Sequence, residues 1–200
     1  IVTGGKKDIR EMGSGNAGFT NVLRSVGKVP AIFTIVCDAL KCVVAVIIGW
    51  LIFSTIQADS QILSNEFGNC GKYIAGIFAI LGHSYPVYFH FKGGKGVLVG
   101  AVMLAFFDWR VFVIAFALFI LSVVLTKWIS LGSILGAVSF PITTWLFYRN
   151  PVLTAMAFGM AAAVVFMHRS NIGRILHGTE NKFSFKSKKT IEASPDGEEK

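Results

Sequence analysis

The sequence predicts an all-α, polytopic membrane protein, and its composition is the first reason. Of the 200 residues, 54% are hydrophobic and only 15% are charged, and the mean hydropathy is +0.63. An ordinary soluble domain is less apolar and carries about 25% charged residues. The second reason is the order of the chain, in which apolar runs of helical length alternate with short polar loops. We therefore expect one helical membrane domain without a separate soluble domain.

Six candidate membrane segments follow one another along the chain. The first, Val29 to Phe53, is long enough to cross a bilayer. The second, from Gly71 to about Ile80, is predicted to be short or re-entrant because Pro86 soon ends it. The other four are Val97 to Phe107, which is also short, Trp109 to Leu125, Leu131 to Phe147 and Pro151 to Met167.

Small and charged residues inside these segments predict helix contacts or a substrate contact. Asp38 and Lys41 are three residues apart and share one helical face. An ion pair that joins helices and direct contact with a substrate both remain open for them. The pairs Gly96/Gly100 and Gly132/Gly136 match G-x-x-x-G and are predicted to serve close helix packing.

Basic residues are unevenly divided between alternate loops. One set of loops, residues 1–28, 84–96, 127–130 and 168–200, holds 15 Lys and Arg, whereas the opposite loops hold three. Cytoplasmic loops are enriched in Lys and Arg, so we expect this set and both visible ends to be cytoplasmic. The net charge of +8 does not indicate a nucleic-acid partner, because the basic residues lie between apolar runs and not on one polar face.

The stretch from Gly82 to Val97 is the most distinctive polar loop. It places Gly93, Gly94 and Gly96 around Lys95. Glycine lets the backbone approach a ligand, and free N–H groups beside a lysine attract an anion, most simply phosphate. The loop lacks G-x-x-x-x-G-K-[ST] and a preceding strand, so it is not a Walker A loop. Carboxylates and cysteines are scattered, so we predict no metal site and no cofactor.

Several long motifs occur in one order between Asp8 and Glu180. They are G-S-G-N-x-G-x-T-N-x-x-R at Gly13 to Arg24, D-x-x-K at Asp38 to Lys41, G-H-x-x-P-V-x-x-x-F-K-G-G-K-G-V at Gly82 to Val97, S-L-x-S-I at Ser130 to Ile134, and H-R-x-N-I-x-R-x-x-x-G-x-E at His168 to Glu180. In these motifs the chain resembles the bacterial acyl-phosphate:glycerol-3-phosphate acyltransferases, the PlsY family. Phe19, Cys42 and Met167 depart from the family's usual alanine, glycine and arginine.

The resemblance implies a seven-helix family bundle, of which six spans are present here, and a first helix before residue 1. Residues 1–180 would be the membrane domain, in a bacterial cell membrane, and residues 181–200 a disordered cytoplasmic tail. The implied reaction moves a fatty acyl group from acyl phosphate to the 1-hydroxyl of sn-glycerol 3-phosphate, giving lysophosphatidic acid and phosphate. A functional link to an acyl-ACP phosphate acyltransferase is implied as well. Acyl phosphate is already activated, so the reaction needs neither a metal nor a covalent intermediate.

The resemblance and the chemistry of the side chains together suggest roles for individual residues. The residues predicted to be catalytic are Lys95, Ser130, His168 and Asn171. The residues predicted to bind phosphate or substrate are Ser14, Gly15, Asn16, Thr20, Asn21, Arg24, His83, Gly93, Gly94, Gly96, Arg169 and Arg174.

Several of these roles have alternatives. His168 is the best protein base for the attacking hydroxyl, but we place a phosphate oxygen of the substrate ahead of it as proton acceptor. His83 is expected to orient other groups, while Arg169 and Arg174 either bind phosphate or anchor the chain at the membrane surface. A transporter for a phosphate-bearing anion is the alternative function, because glycine-rich helix breaks are typical of transporters. Polar clusters on one side and the lack of an internal repeat argue against it.

Overall fold

The computed structural model of the chain describes residues 8–13, 15–59 and 67–183, and this part is helical without strands. Its helices are α1 (Phe19–Ser25), α2 (Lys28–Asp59), α3 (Phe67–Ser84), α4 (Val97–Phe107), α5 (Trp109–Thr126), α6 (Ile129–Tyr148), α7 (Pro151–Met167) and α8 (Arg169–Leu176). Short 3-10 turns at Ile9–Glu11 and Val87–Phe89 precede α1 and α4. The all-α prediction is confirmed.

Helices α2 to α7 correspond to the six predicted segments. By length and composition, three helices in the described part can cross a membrane: α2 over Lys28–Ile56, α5 and α6. Helices α7 and α8 pass the same test together, bent by 59° where they meet, which gives up to four spans. Helix α4, with 11 residues, is short as predicted.

The second segment is longer than the sequence predicts. Helix α3 has 18 residues and starts at Phe67, so the prediction of a short segment is wrong. In the described part, α3 is not among the helices that are long and apolar enough to cross a membrane, and the re-entrant alternative stays a prediction. Helix α3 ends at Ser84, two residues before Pro86, because a proline disfavours helical geometry in the residue before it. Helix α2 likewise continues past Phe53 to Asp59. The stretch between the two predicted segments is therefore helical at both of its ends, over residues 54–59 and 67–70.

The core lies where α3, α4, α6 and α7 meet. The ring of Tyr73 stacks on that of Phe107 with centroids 4.5 Å apart, and Phe140 joins the same stack. Met103 and Leu153 are almost fully buried beside these rings. The outer faces of α2 and α5 instead expose large apolar side chains, as helices that face lipid do.

Close helix contacts fall on glycines, only some of which were predicted. A Cβ on Gly132 or Gly136 would crowd the α5 backbone carbonyls, at 2.8 and 3.2 Å, so this pair serves packing as predicted. A Cβ on Gly100 would meet no described atom within 4 Å, so the packing prediction is wrong there. Helices α2 and α3 approach instead at Gly49 and Gly71, where each Cβ would collide with the other residue's backbone.

The turn between α4 and α5 is held by an ionic cluster centred on Asp108. Its carboxylate caps α5 by accepting from the Arg110 backbone N–H at 2.8 Å, and it accepts from the Arg110 guanidinium at 2.6 Å. The Tyr148 hydroxyl at the end of α6 donates to it at 2.8 Å. The hydrogen bond from the Arg110 side chain is the main reason why the pKa of Asp108 falls to about 2, against the opposing effect of burial.

Replacing Asp108 with Asn should lower the free energy of unfolding by about 1–3 kcal/mol, because the Arg110 charge and the Tyr148 hydroxyl lose their ionised acceptor. Since the folded carboxyl has its pKa lowered from 3.8, its contribution is present above about pH 4 and is lost as the pH falls toward 2. Unfolding of both proteins in detergent should be measured from pH 7 to pH 2. A stability difference that did not shrink below pH 4 would contradict this account. As a control, Asp8→Asn should change stability much less than Asp108→Asn, because that carboxylate is exposed.

Candidate active site

Four separate parts of the chain meet at the end of the bundle opposite Asp108. Arg10, before α1, donates through Nε to the carbonyl of Lys92 at 2.9 Å. Lys95, before α4, donates to Asn171 on α8 at 2.5 Å. Ser130, at the start of α6, donates to Glu180 beyond α8 at 2.6 Å. These contacts place the glycine-rich loop between the N-terminal segment and the chain that follows α7.

A cavity of about 1220 Å³ opens at this end. It is bounded by the N-terminal segment, the first half of α2, the end of α3 and the loop that leads to α4. Among the residues predicted to bind substrate or to act in catalysis, those that line it are Gly15, Asn16, His83, Gly93, Gly94, Lys95 and Arg169. Three further cations, Arg10, Lys41 and Lys92, also line it. A cavity of this size can hold a drug-sized ligand or two small ones.

The glycine loop, Gly93 to Gly96, folds back onto the end of α3. The N–H groups of Gly93 and Gly94 donate to the carbonyls of Ser84 and His83 at 3.1 and 3.2 Å. These carbonyls belong to the last turn of a helix, which leaves acceptors without intrahelical partners. The expectation that the Gly93 and Gly94 amides are free donors is therefore wrong. A Cβ at either glycine would collide with His83, which explains the residue type.

Gly96 sets the direction of α4. It has φ +76° and ψ 8° at the N-cap position, a left-handed conformation that glycine adopts without strain. The N-terminal turn of the 11-residue helix then follows directly after Lys95. A helix N-terminus carries a partial positive charge, so this turn adds positive potential close in sequence to Lys95.

Lys95 leads into a chain of hydrogen bonds that ends on one buried carboxylate. Asn171 accepts from Lys95 through Oδ1 and donates through Nδ2 to Glu180 at 2.8 Å. Ser130 donates to the same Glu180 oxygen, and the Arg174 Nε donates to the other at 2.7 Å. The Glu180 side chain is only 6% exposed. One carboxylate thus fixes the orientation of two predicted catalytic residues, Ser130 and Asn171.

The ionisable groups of this cluster are coupled to one another. Burial and then the nearby Arg174 charge lower the pKa of Lys95, with Glu180 acting in the opposite direction. Burial raises the pKa of Glu180, but the hydrogen bonds from Ser130, Asn171 and Arg174 outweigh it and leave the pKa below its ordinary value. Glu180 is therefore held as a carboxylate, and an anion bound at Lys95 would compensate a charge that is costly to bury.

His168 lies at the bend between α7 and α8 and is 2% exposed. Its Nδ1 is 2.8 Å from the carbonyl oxygen of Val164. A carbonyl only accepts, so Nδ1 carries the proton of this hydrogen bond. In the neutral ring Nε2 is then left as an acceptor, which is the arrangement that a base needs.

Other predicted residues lie apart from the described lining of the cavity. Asn21, on α1, is buried and donates to the carbonyls of Ile9 and Met12, so it holds the N-terminal segment in place. Thr20 and Arg24 also lie on α1, and the Arg24 side chain is exposed. Ser14 lies outside the described residues. The substrate contacts of these residues remain predictions.

The two arginines near α8 differ in their contacts. The guanidinium of Arg169 donates to the carbonyl of Phe166 at 3.2 Å and lies over the Phe166 ring. Arg174 is paired with Glu180. Arg169 thus lines the cavity while it packs on an exposed aromatic ring, and Arg174 acts on the buried cluster.

The sequence indicated no role for Glu180 or Arg10, and it left two roles open for Lys41. Glu180 ends the motif that begins at His168, and its place there was the available signal. Its contact with Ser130 spans 50 residues and depends on the turn at Gly178, which has φ +69°. For Lys41 the sequence predicts either an ion pair with Asp38 or contact with substrate, and nothing in the spacing indicates its contact with His83 on α3.

Comparison with known proteins independently supports the family resemblance of the motifs. A family model described as glycerol-3-phosphate acyltransferase matches residues 1–178. The chain is 39% identical over 182 residues to a glycerol-3-phosphate acyltransferase of Thermoanaerobacter pseudethanolicus, covering 91% of this chain and 85% of the relative. It is 40% identical over 179 residues to the protein of that name from Syntrophotalea carbinolica, covering 90% and 85%.

Two solved structures have the same fold. Both are crystal structures of PlsY (YgiH), an integral membrane glycerol 3-phosphate acyltransferase, one in a glycerol 3-phosphate form and one in a lysophosphatidic acid form. The first has a TM-score of 0.74 at 30% identity and covers 89% of this chain and 83% of that one. The second has a TM-score of 0.71 at 30% identity, covering 86% and 82%. The chain is thus an integral membrane protein that belongs to the glycerol-3-phosphate acyltransferase (PlsY) family of lipid biosynthesis.

Proposed function

We propose that this protein transfers a fatty acyl group from acyl phosphate to the 1-hydroxyl of sn-glycerol 3-phosphate. The products are lysophosphatidic acid and inorganic phosphate. The observation that carries the proposal is the chain from Lys95 through Asn171 to Glu180 and Ser130, beside a cavity lined by cations at one end of the membrane helices. The forms of PlsY solved with glycerol 3-phosphate and lysophosphatidic acid support the acceptor and the product.

The proposed chemistry is a direct acyl transfer. The 1-hydroxyl oxygen attacks the carbonyl carbon of the mixed anhydride, a new ester C–O bond forms, and the bond to the phosphate oxygen breaks. Phosphate leaves with the electron pair, and the hydroxyl proton passes to a phosphate oxygen. The Nε2 of His168 is the alternative acceptor, since its Nδ1 proton is engaged by Val164. No metal or cofactor takes part.

Lys95 supplies the positive charge in this scheme. It approaches from the glycine loop, and the Asn171 oxygen fixes its ammonium group. Preorganised charge of this kind is worth more in a site that excludes water than in bulk solvent. Two anionic substrates repel each other, so a cation between their phosphates lowers the barrier to bringing them together. Ser14, Arg24, Arg169 and the backbone at Gly96 are proposed to share the phosphates.

The proposed setting is the cell membrane of a bacterium, with the cavity end of the bundle and the C-terminal end of the chain on the cytoplasmic side. The excess of Lys and Arg in the loops at that end supports this orientation. Glycerol 3-phosphate then enters from the water, and acyl phosphate from the lipid. An acyl-ACP phosphate acyltransferase is proposed as the source of acyl phosphate.

The test is an assay of purified protein in lipid vesicles with labelled glycerol 3-phosphate and palmitoyl phosphate. We expect acylated glycerol phosphate and released phosphate in equal amounts, and no product when palmitoyl-CoA replaces palmitoyl phosphate. Lys95→Met serves as the inactive control. Transfer from palmitoyl-CoA alone would overturn the proposed donor. Label that accumulated inside the vesicles without being acylated would indicate a transporter instead.

A further inference from the structure

Three ionisable side chains meet on the wall of the cavity away from the Lys95–Glu180 cluster. Asp38 and Lys41 belong to α2, and His83 lies near the end of α3. The Lys41 ammonium is 2.5 Å from a carboxylate oxygen of Asp38 and 2.8 Å from Nδ1 of His83. All three residues line the cavity. The Asp38–Lys41 ion pair lies within α2, and the contact of Lys41 with His83, which precedes the glycine loop, joins α2 to α3.

The chemistry of lysine determines which nitrogen of His83 carries the proton. An ammonium group has three donors and no acceptor. The short contact is therefore a hydrogen bond from Lys41 to Nδ1, and Nδ1 must offer its lone pair. The Asp38 oxygen is 3.5 Å from the same nitrogen, longer than the lysine contact. The lysine contact therefore assigns the ring proton to Nε2.

The Nε2 side of the ring faces the glycine loop. A Cβ on Gly94 would collide with Nε2, so the ring lies directly against the loop backbone. The His83 carbonyl also receives the Gly94 N–H. The next residue along the loop is Lys95, which the proposed function places on a phosphate. An Nε2–H donor at this point is therefore available to the same anion.

We propose that Lys41 is a positioning residue that holds His83 as the Nε2–H tautomer, so that the ring donates a hydrogen bond to a phosphate oxygen at the glycine loop. This inference rests on the proposed function, because it takes a phosphate group as the ligand. Glycerol 3-phosphate, acyl phosphate and inorganic phosphate all present that group. Asp38 neutralises the charge of Lys41, so Lys41 acts through the orientation and protonation of His83 and not as the direct anion ligand.

The competing explanation is a purely structural bridge between α2 and α3. A structural bridge predicts that loss of Lys41 lowers stability and affects every ligand through misfolding. Tautomer control predicts instead that the effect of Lys41 disappears when the residue at 83 no longer has tautomers. Gln at position 83 provides this condition, because both protons of its amide stay on the nitrogen whatever Lys41 donates to.

The experiment combines Lys41→Met, His83→Gln and the double variant in lipid nanodiscs. We expect Lys41→Met to raise the dissociation constant for inorganic phosphate, and the KM for glycerol 3-phosphate or acyl phosphate, by about tenfold. In the His83→Gln background the same change should be less than twofold. If the KM for glycerol 3-phosphate rises, His83 contacts the phosphate of glycerol 3-phosphate. If the KM for acyl phosphate rises, His83 contacts the phosphate of acyl phosphate. Equal factors in both backgrounds would overturn the proposal.

Histidine labelled with ¹⁵N gives a readout that needs no turnover. In the wild-type protein the His83 ring, assigned by comparison with His83→Gln, should show an unprotonated Nδ1 and a protonated Nε2. Lys41→Met should mix or reverse the tautomers, and Lys41→Arg, which keeps a cation that only donates, should restore them. A protonated Nδ1 in the wild-type protein would contradict the proposal. This result does not depend on whether Lys41→Met folds. A correct tautomer and tighter phosphate binding without acyl transfer would support it while contradicting the proposed function.

Discussion

Replacing Lys95 with methionine should lower the rate of acyl transfer by about 10²–10³-fold, the effect expected when one preorganised charge is removed from a site that stabilises an anion. The structure gives Lys95 two features that surface lysines lack, namely partial burial and a fixed contact with Asn171. Methionine keeps most of the apolar stem, so the change removes the charge with little effect on packing. The measurement is kcat and KM for both substrates in lipid vesicles.

Lys28→Met is the matched control. Lys28 is the exposed first residue of α2 and carries the same charge. Its replacement should leave both kinetic constants within about twofold, since exposed charges are screened by water and salt. If Lys95→Met kept more than a tenth of the wild-type rate, Lys95 would have no direct part in charge stabilisation.

Replacing Glu180 with alanine should reduce both activity and stability. Ser130, Asn171 and Arg174 would lose a shared acceptor at once, and Arg174 would lose its counter-charge. The Arg174 side chain is partly exposed, so we expect the loss of the shared acceptor to lower the free energy of unfolding by about 1–3 kcal/mol. Because Ser130 and Asn171 would no longer be held in place, we expect a fall in kcat of about a hundredfold. Thermal unfolding and kcat should be measured on the same preparation.

Glu180→Gln separates positioning from folding. Glutamine keeps an oxygen that can accept from Ser130 and Asn171 but cannot balance the charge of Arg174. We therefore expect it to restore much of kcat while leaving part of the stability loss. Glu180→Gln could instead recover stability and leave kcat as low as in the alanine variant. Turnover would then require the carboxylate charge itself and not the placement of Ser130 and Asn171.

The helices were the most predictable part of the structure, because lipid requires every backbone polar group to be bonded within its own segment. Helix α4 has the bounds that hydropathy predicts, Val97–Phe107. The start of α3 could not be read in the same way, since the residues from Phe67 to Gly71 are weakly apolar and hydropathy does not report helix ends.

The site was predictable as a set of motifs but not as a set of contacts. The order of the motifs indicated Lys95, Ser130 and Asn171 as candidate site residues. The spacing between the motifs did not indicate that the Glu180 carboxylate connects them. In the glycine loop the motif was recognised, but the structural reason for its glycines was not. Its glycines are explained by close approach to His83, and two of the amides that the motif suggested for an anion are taken by the carbonyls at the end of α3.

The ionic clusters around Asp108 and Glu180 lie at opposite ends of the helices and share no side chain. Asp108 and its partners fasten the turns far from the cavity, whereas Glu180 organises the groups beside it. Changes at sites that share no partners usually add independently. The Asp108 end is accordingly the place to engineer a more heat-resistant protein for inhibitor screening or crystallisation, because its residues can be altered without touching the machinery at the other end.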